Sequence, residues 1–355
     1  MAVVGTAGPV NQQDAARTAM EARITVQHLD PVVAGFIDPE VGVSMLADID
    51  AHAASDGITV TSNGTIHAQR LKILKGGSPA PQPVDLTFGV AHSLKSNRGV
   101  LRDLALKTGE VAGHLSGTYD VAGIDPSVNL KLVGGRLEID GLQALLPTAG
   151  VKLPNGSVLK GGTLTTALTI TGSVKDSVIV GPVELDNTRL VGFDLGSRVS
   201  GMAALGGVKT GDATSIQTLR MNVRVTRAGV RTDDVYALLP ALGELTGSGT
   251  VSPAGALDFR LIAKLNTTQG IGRAGVGLLT ALNGMLGGAV SAAAKNGVPM
   301  RITGTTNDPV ITADMKGLLE QNGSSVHGEG KQLPGRSSGQ QNPLSGLAGL
   351  FGRRN

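Results

Sequence analysis

Apolar and polar residues alternate one by one along much of this chain, and this period of two restricts its fold more than any other feature. It places every second side chain on the same side of an extended strand. The clearest run sets Val84, Leu86, Phe88 and Val90 against Asp85, Thr87, Gly89 and Ala91. Val128, Leu130 and Leu132 repeat the pattern around Asn129 and Lys131, and Leu164, Leu168 and Ile170 do so among threonines. Met221, Val223 and Val225 alternate with Asn222, Arg224 and Thr226, and Leu257, Phe259 and Leu261 with Asp258 and Arg260. Ser62-Asn63-Gly64, Gly134-Gly135, Asn155-Gly156, Gly247-Ser248-Gly249 and Pro253-Ala254-Gly255 read as turns between such runs. The fold class expected is mainly β: an elongated antiparallel meander, curved or groove-like, with a few short helices.

Composition agrees with many short strands. Glycine contributes 52 of 355 residues, aromatics 2%, and the apolar material is mostly aliphatic. The length suits two ordinary domains or one elongated one, at about 150 residues per domain. Helical signals are sparse. Asp30-Pro31 opens a short candidate helix through Phe36, and Asp140 is a candidate cap for one covering Leu142, Leu145 and Leu146. The octet Asp233 to Pro240 resembles the octet Asp140 to Pro147, yet also fits a strand through Val235, Ala237 and Leu239.

Between Arg273 and Lys295 the stretch 274–294 carries no charge, and its leucines fall on one helical stripe. Five glycines and three polar residues argue for an amphipathic helix on the sheet or at a membrane surface rather than a span. Residues 319–355 are rich in Gly, Ser, Gln and Asn, the composition of a disordered tail. Met1 to Val10 lack the basic and apolar regions of a secretory signal.

Catalytic chemistry finds little footing, so the chain is expected not to be an enzyme. There is no cysteine, which removes disulfides, thiolate metal sites and cysteine nucleophiles together. No serine or histidine sits in a recognisable nucleophile context, and no phosphate-binding glycine loop opens a helix. Asp233-Asp234 reads as a turn or strand start. Five of six histidines lie in the first third, and Asp48, Asp50 and His52 share one side of a candidate strand; a solvated strand face gives the same pattern as a ligand set. With a net charge of +3 and so few aromatics, nucleic acid is not an expected partner. Neither a cofactor nor a metal is expected.

The stretch LPNGSVLKGGTLTTALTITGSV (Leu153 to Val174), followed by GPVELDNTRLVGFDLGS (Gly181 to Ser197), resembles the C-terminal region of AsmA-family envelope proteins. RVTRAGVRTDD (Arg224 to Asp234), LTGSGTVSPAGALDFRL (Leu245 to Leu261) and VPMRITGTTNDPVI (Val298 to Ile311) are similar to that region's closing strands, in the same order. The part from Asp14 to Gln143 resembles the preceding segment of those proteins. The resemblance implies a division into 1–150, 151–318 and a tail from 319. It also implies a periplasmic body attached to the inner membrane, a part in outer-membrane biogenesis or phospholipid transport, and phospholipid or another envelope lipid as partner. The anchor and groove-starting region of the family are missing from this sequence, which reads as a C-terminal portion or a truncated paralogue.

An aliphatic sheet face must be hidden by a second sheet, by helices or by a ligand. Candidates for lining an apolar groove are Val84, Leu86, Phe88, Val90, Leu130, Leu132, Leu168, Ile170, Met221, Val223, Val225, Phe259 and Leu261. Core packing of the same residues, in a structural or protein-binding module without lipid, is the alternative.

Overall fold

A computed structural model describes residues 1–73, 77–108, 111–143, 145–148, 150–173, 176–193, 212–240, 243–265 and 297–314. The stretch 274–294 and the tail 319–355 lie outside them. The first half of the chain forms β1 (Ala2–Ala7), β2 (Met20–Leu29), β3 (Ser44–Ser55), β4 (Thr59–Lys72), β5 (Val84–Ser93), β6 (Arg98–Thr108), β7 (Val111–Asp120) and β8 (Ser127–Glu138). After a short helix, α1 (Ile139–Leu142), come β9 (Val158–Lys160), β10 (Thr163–Ser173), β11 (Asp176–Val191), β12 (Ala213–Thr226) and β13 (Gly229–Leu239). The chain then continues through β14 (Gly243–Val251), β15 (Leu257–Leu265), β16 (Val298–Gly304) and β17 (Pro309–Ala313).

These make one open sheet of 17 strands, all paired antiparallel. From β1 to β8 each strand pairs with the next in the chain, β8 pairs with β10, and the order resumes unbroken from β10 to β17. The three-residue β9 shares β10's side of β11, pairing at Arg189 to Val191 while β10 takes Asp176 to Asp186, so the two act as one interrupted strand. The mainly-β meander expected from the alternation is what the chain forms.

Three of the expected turns are instead strand interior. Ser62-Asn63-Gly64 lies within β4, Gly134-Gly135 within β8, and Gly247-Ser248-Gly249 within β14. In β4 and β14 the physical reason is close approach across the ladder. A Cβ at Gly249 would collide with the Phe259 ring of β15, and one at Gly64 with the Asp50 carbonyl of β3. Asn155-Gly156 and Pro253-Ala254-Gly255 do form turns. Asp233-Asp234 lies inside β13, where Asp234 (φ 52°) marks a bulge, so it starts neither a helix nor a strand.

Of the helix candidates, Asp30 to Phe36 is a hydrogen-bonded turn. The Asp30 carboxylate caps it by accepting from the Val32 and Val33 N–H groups, and Phe36 N–H reaches the Pro31 carbonyl. Glu138, not Asp140, occupies the N-cap position of α1 and makes no side-chain capping bond; the Asp140 carboxylate accepts instead from Gly161 N–H. The octet from Asp233 takes its strand alternative.

Burial concentrates in two places. One cluster gathers Ala68, Leu71, Ala80, Val84 and Leu86 with Leu137, Leu142 and Leu145. Here α1 and Leu145 to Thr148 lie over the strand ends, pinned to the β4–β5 connection by Ile73 N–H to the Thr148 carbonyl (3.3 Å) and Ser78 N–H to the Pro147 carbonyl (2.8 Å). The other gathers Val235, Ala237, Leu239, Leu245, Leu261, Ala263, Met300 and Ile311, all from strands of the second half.

That second half is bent back on itself. Asn155, just ahead of β9, donates its N–H to the carbonyl of Asn307 in the β16–β17 turn at 3.0 Å. In a flat sheet the strand spacings from β9 to β16 would separate these points by about 29 Å, and the residues between Asn155 and Val158 can span only about 10 Å. Only a curved sheet brings the two together.

Candidate functional site

Register, followed from strand to strand, sorts the side chains into two opposed surfaces. One inward row runs Val3, Ile24, Ala51, Gly64, Phe88, Leu104, Leu115, Leu132 and Leu168. Gly181 stands next to Leu168, and from there the row continues through Val223, Thr232, Gly249, Phe259, Ile302 and Ile311. It carries no charge and crosses the sheet from edge to edge, a distance of about 70 Å along the curve at the usual strand spacing.

All thirteen candidate residues fall on this inward surface. Val84, Leu86 and Leu261 are buried in the two clusters, while Phe88, Val90, Leu130, Leu132, Leu168, Ile170, Met221, Val223, Val225 and Phe259 are half-buried. The cross-strand pairs Leu132–Leu168, Leu130–Ile170, Met221–Val183 and Val225–Ile179 give the face its continuous aliphatic texture. Alternation alone did not single out Ile24, Leu104, Leu115, Ile302 and Ile311. For β6 the reason is a register shift between Leu101 and Leu104, which breaks the period of two where its face is read.

Near the ends of β5 and β7 the surface turns polar. His92 stacks on Tyr119 with ring centroids 5.7 Å apart and planes 10° from parallel, and its Nδ1 lies 3.1 Å from the Tyr119 hydroxyl. Tyr119 covers Gly99, where a side chain would collide with the ring. Partial burial pushes the Tyr119 hydroxyl up from its ordinary value.

The outward surface is laced with cross-strand ion pairs and histidine–carboxylate hydrogen bonds. Arg23 holds Asp50 through two hydrogen bonds, of 2.6 and 3.1 Å, and this contact keeps the Asp50 carboxyl below its usual range. His52 meets Glu21 at 2.8 Å, His67 meets Asp85 at 2.7 Å, and His114 meets Asp103 at 3.0 Å. Arg220–Glu184 and Arg301–Asp258 continue the pattern in the second half. Asp48, Asp50 and His52 share this side of β3, and each is engaged separately: Asp48 accepts from the His28 N–H at 2.7 Å, Asp50 from Arg23, and His52 faces Glu21. Among the described residues no three His, Asp or Glu side chains group as metal ligands would. All three side chains are partly exposed to solvent on this side of β3.

The arrangement can hold an elongated apolar molecule against the inward surface while the outward one stays in water. Among the described residues no helix is long and apolar enough to cross a membrane. Compared with family models, curated proteins and solved structures, the chain finds no match in any of the three.

Proposed function

We propose that this chain binds lipid acyl chains along its inward surface and serves as the periplasmic C-terminal part of an AsmA-like protein. Its work would be envelope lipid transport or outer-membrane biogenesis, with phospholipid as cargo. The observation that carries the reading is the half-buried aliphatic row from Phe88 through Leu132, Leu168 and Val223 to Phe259. Leaving such a row in water is unfavourable by about 25 cal/mol for each Å² of apolar area, and a flexible hydrocarbon chain covers it without needing hydrogen-bond partners. The polar outward surface supports the same reading, because it keeps the sheet soluble on the side that cargo does not touch.

Native mass spectrometry of the purified chain, with lipid extraction from the same sample, tests the proposal. Stoichiometric phospholipid that survives purification is the expected result, and Phe88→Asp is expected to lose it while the circular dichroism of the sheet stays unchanged. A folded, lipid-free protein that takes up no phospholipid from vesicles would overturn it.

A further inference from the structure

The described histidines divide between two settings. His28, His52, His67 and His114 each stand beside an outward carboxylate, that of Asp48, Glu21, Asp85 and Asp103 in turn. Among the described histidines only His92 lies on the inward surface, two positions beyond Val90, and its partner is the uncharged Tyr119 hydroxyl. The pair is built across an intervening strand. Register sets His92 of β5 opposite Gly99 of β6, and Gly99 opposite Tyr119 of β7. Two strand spacings, about 10 Å, therefore separate the backbones of His92 and Tyr119. Gly99 offers no side chain, so the Tyr119 ring lies across it and stacks on His92.

A neutral imidazole and a phenol carry two polar hydrogens, and their mutual contact at 3.1 Å uses one. In either tautomer one donor is left over, the His92 Nε2–H or the Tyr119 O–H, and among the described residues no acceptor meets it. This donor sits at one end of an apolar stretch. At the other end Val84 and Leu86 are closed under Leu142 of α1 and Leu145. Phe88 and Val90 lie between, flanked by Leu104, Leu115, Leu130 and Leu132. The six positions from Leu86 to His92 span about 20 Å of strand. One leaflet's share of a bilayer's hydrocarbon core is about 15 Å, so acyl chains laid along the strands fit this stretch with their polar end at the donor.

We propose that His92 and Tyr119 hold the phosphate of a bound phospholipid, whose acyl chains run along β5 to β8 toward α1. A phosphate oxygen is the strongest acceptor a phospholipid offers such a donor, because the bond is charge-assisted. The inward row carries no carboxylate that would repel it. The inference rests on the inward surface being a lipid site, and adds which way the lipid lies on it.

The chain has two tyrosines and no tryptophan, so its own emission reads the orientation. Tyr119 lies inward, and Tyr236 outward beside Glu244. In Tyr236→Phe, phosphatidylcholine with a nitroxide on its headgroup should quench Tyr119 more than phosphatidylcholine with the nitroxide near its chain ends. In Tyr119→Phe, the remaining Tyr236 should show no such difference. Stronger quenching from the chain ends overturns the inference alone, and no quenching from either lipid overturns lipid binding with it. The full chain should also prefer phospholipid to diacylglycerol of the same chains by about tenfold or more, the size of one hydrogen bond to a charged group. The double variant His92→Phe, Tyr119→Phe keeps both rings and removes both donors; it should lose that preference and still bind diacylglycerol. A preference that survives in the double variant overturns the inference. Inorganic phosphate, which has no chains, should not displace the lipid, and displacement would assign the pair to free phosphate instead.

Discussion

The first half of the sheet, β1 to β8, and the second, β10 to β17, are built from the same alternation, yet they dispose of their apolar surface differently. In the first half the larger apolar residues are closed off from outside the strands: α1 and Leu145 to Thr148 fold over one set of strand ends, and much of the remaining face stays half-exposed. In the second half the strands cover one another by curvature, with Ala263 at 1% and Met300 at 6% exposure, and the Asn155–Asn307 bond fastens the bend. A single extended sheet can thus be finished in one region by a loop and in another by its own curl. The difference leaves the first half with the more open apolar surface.

The comparison breaks most readily at the buried end. Met300→Asp places a carboxylate in the second cluster, where no partner is described, and should cost several kcal/mol; urea unfolding should show the second half losing protection while the first retains it. If both halves unfold together, they form one cooperative unit. Leu142→Ala removes the cover's anchor and should cost about 2–5 kcal/mol, with increased binding of a fluorescent apolar dye as the first half's surface is uncovered. Gly249→Val drives a side chain into Phe259 and should cost about 1–3 kcal/mol through overpacking, read as a lower urea midpoint.

The smallest effect expected is that of acid. Arg23 lowers the Asp50 pKa, the Thr59 and Ile58 N–H groups lower that of Asp56, and the Ala122 N–H together with Arg98 lowers that of Asp120. All three carboxyls lie in the first half. A depressed folded pKa gives stability that is fully present above the unfolded value, near 3.9, and is lost as pH falls through the folded value. The protection of β2 to β8 amides against exchange, relative to their intrinsic rates, should therefore fall below about pH 4 before that of β12 to β17. The reverse order would show that exposed pairs such as these do not set the acid limit.

Much of the fold was legible in the alternation because strand period is a local property. β5, β8, β10, β12 and β15 lie where their apolar runs predicted, and the thirteen candidate residues share one surface because parity survives along each run. The glycines misled for a non-local reason. Gly64 and Gly249 make room for residues of neighbouring strands, and nothing beside them in sequence distinguishes that role from a turn. The cover was equally hidden. Which β5 candidates are buried depends on Ala80, Leu142 and Leu145 arriving from outside the strands, so Val84 and Phe88, four residues apart on one side of β5, have different exposure.

The chain-ordered pairing has a consequence for how the protein comes into being. Every strand from β2 to β8 finds its first partner in the strand made just before it, so the sheet can grow as the polypeptide emerges from a ribosome or a translocation channel, with no strand waiting for a distant mate. The exceptions are bonds across longer stretches of chain, such as those of Ile73 with Thr148 and Ser78 with Pro147 and, across a longer stretch still, that of Asn155. Its partner Asn307 arrives only after β16 has been made, so the clasp on the second half is among the last contacts the nascent chain can form.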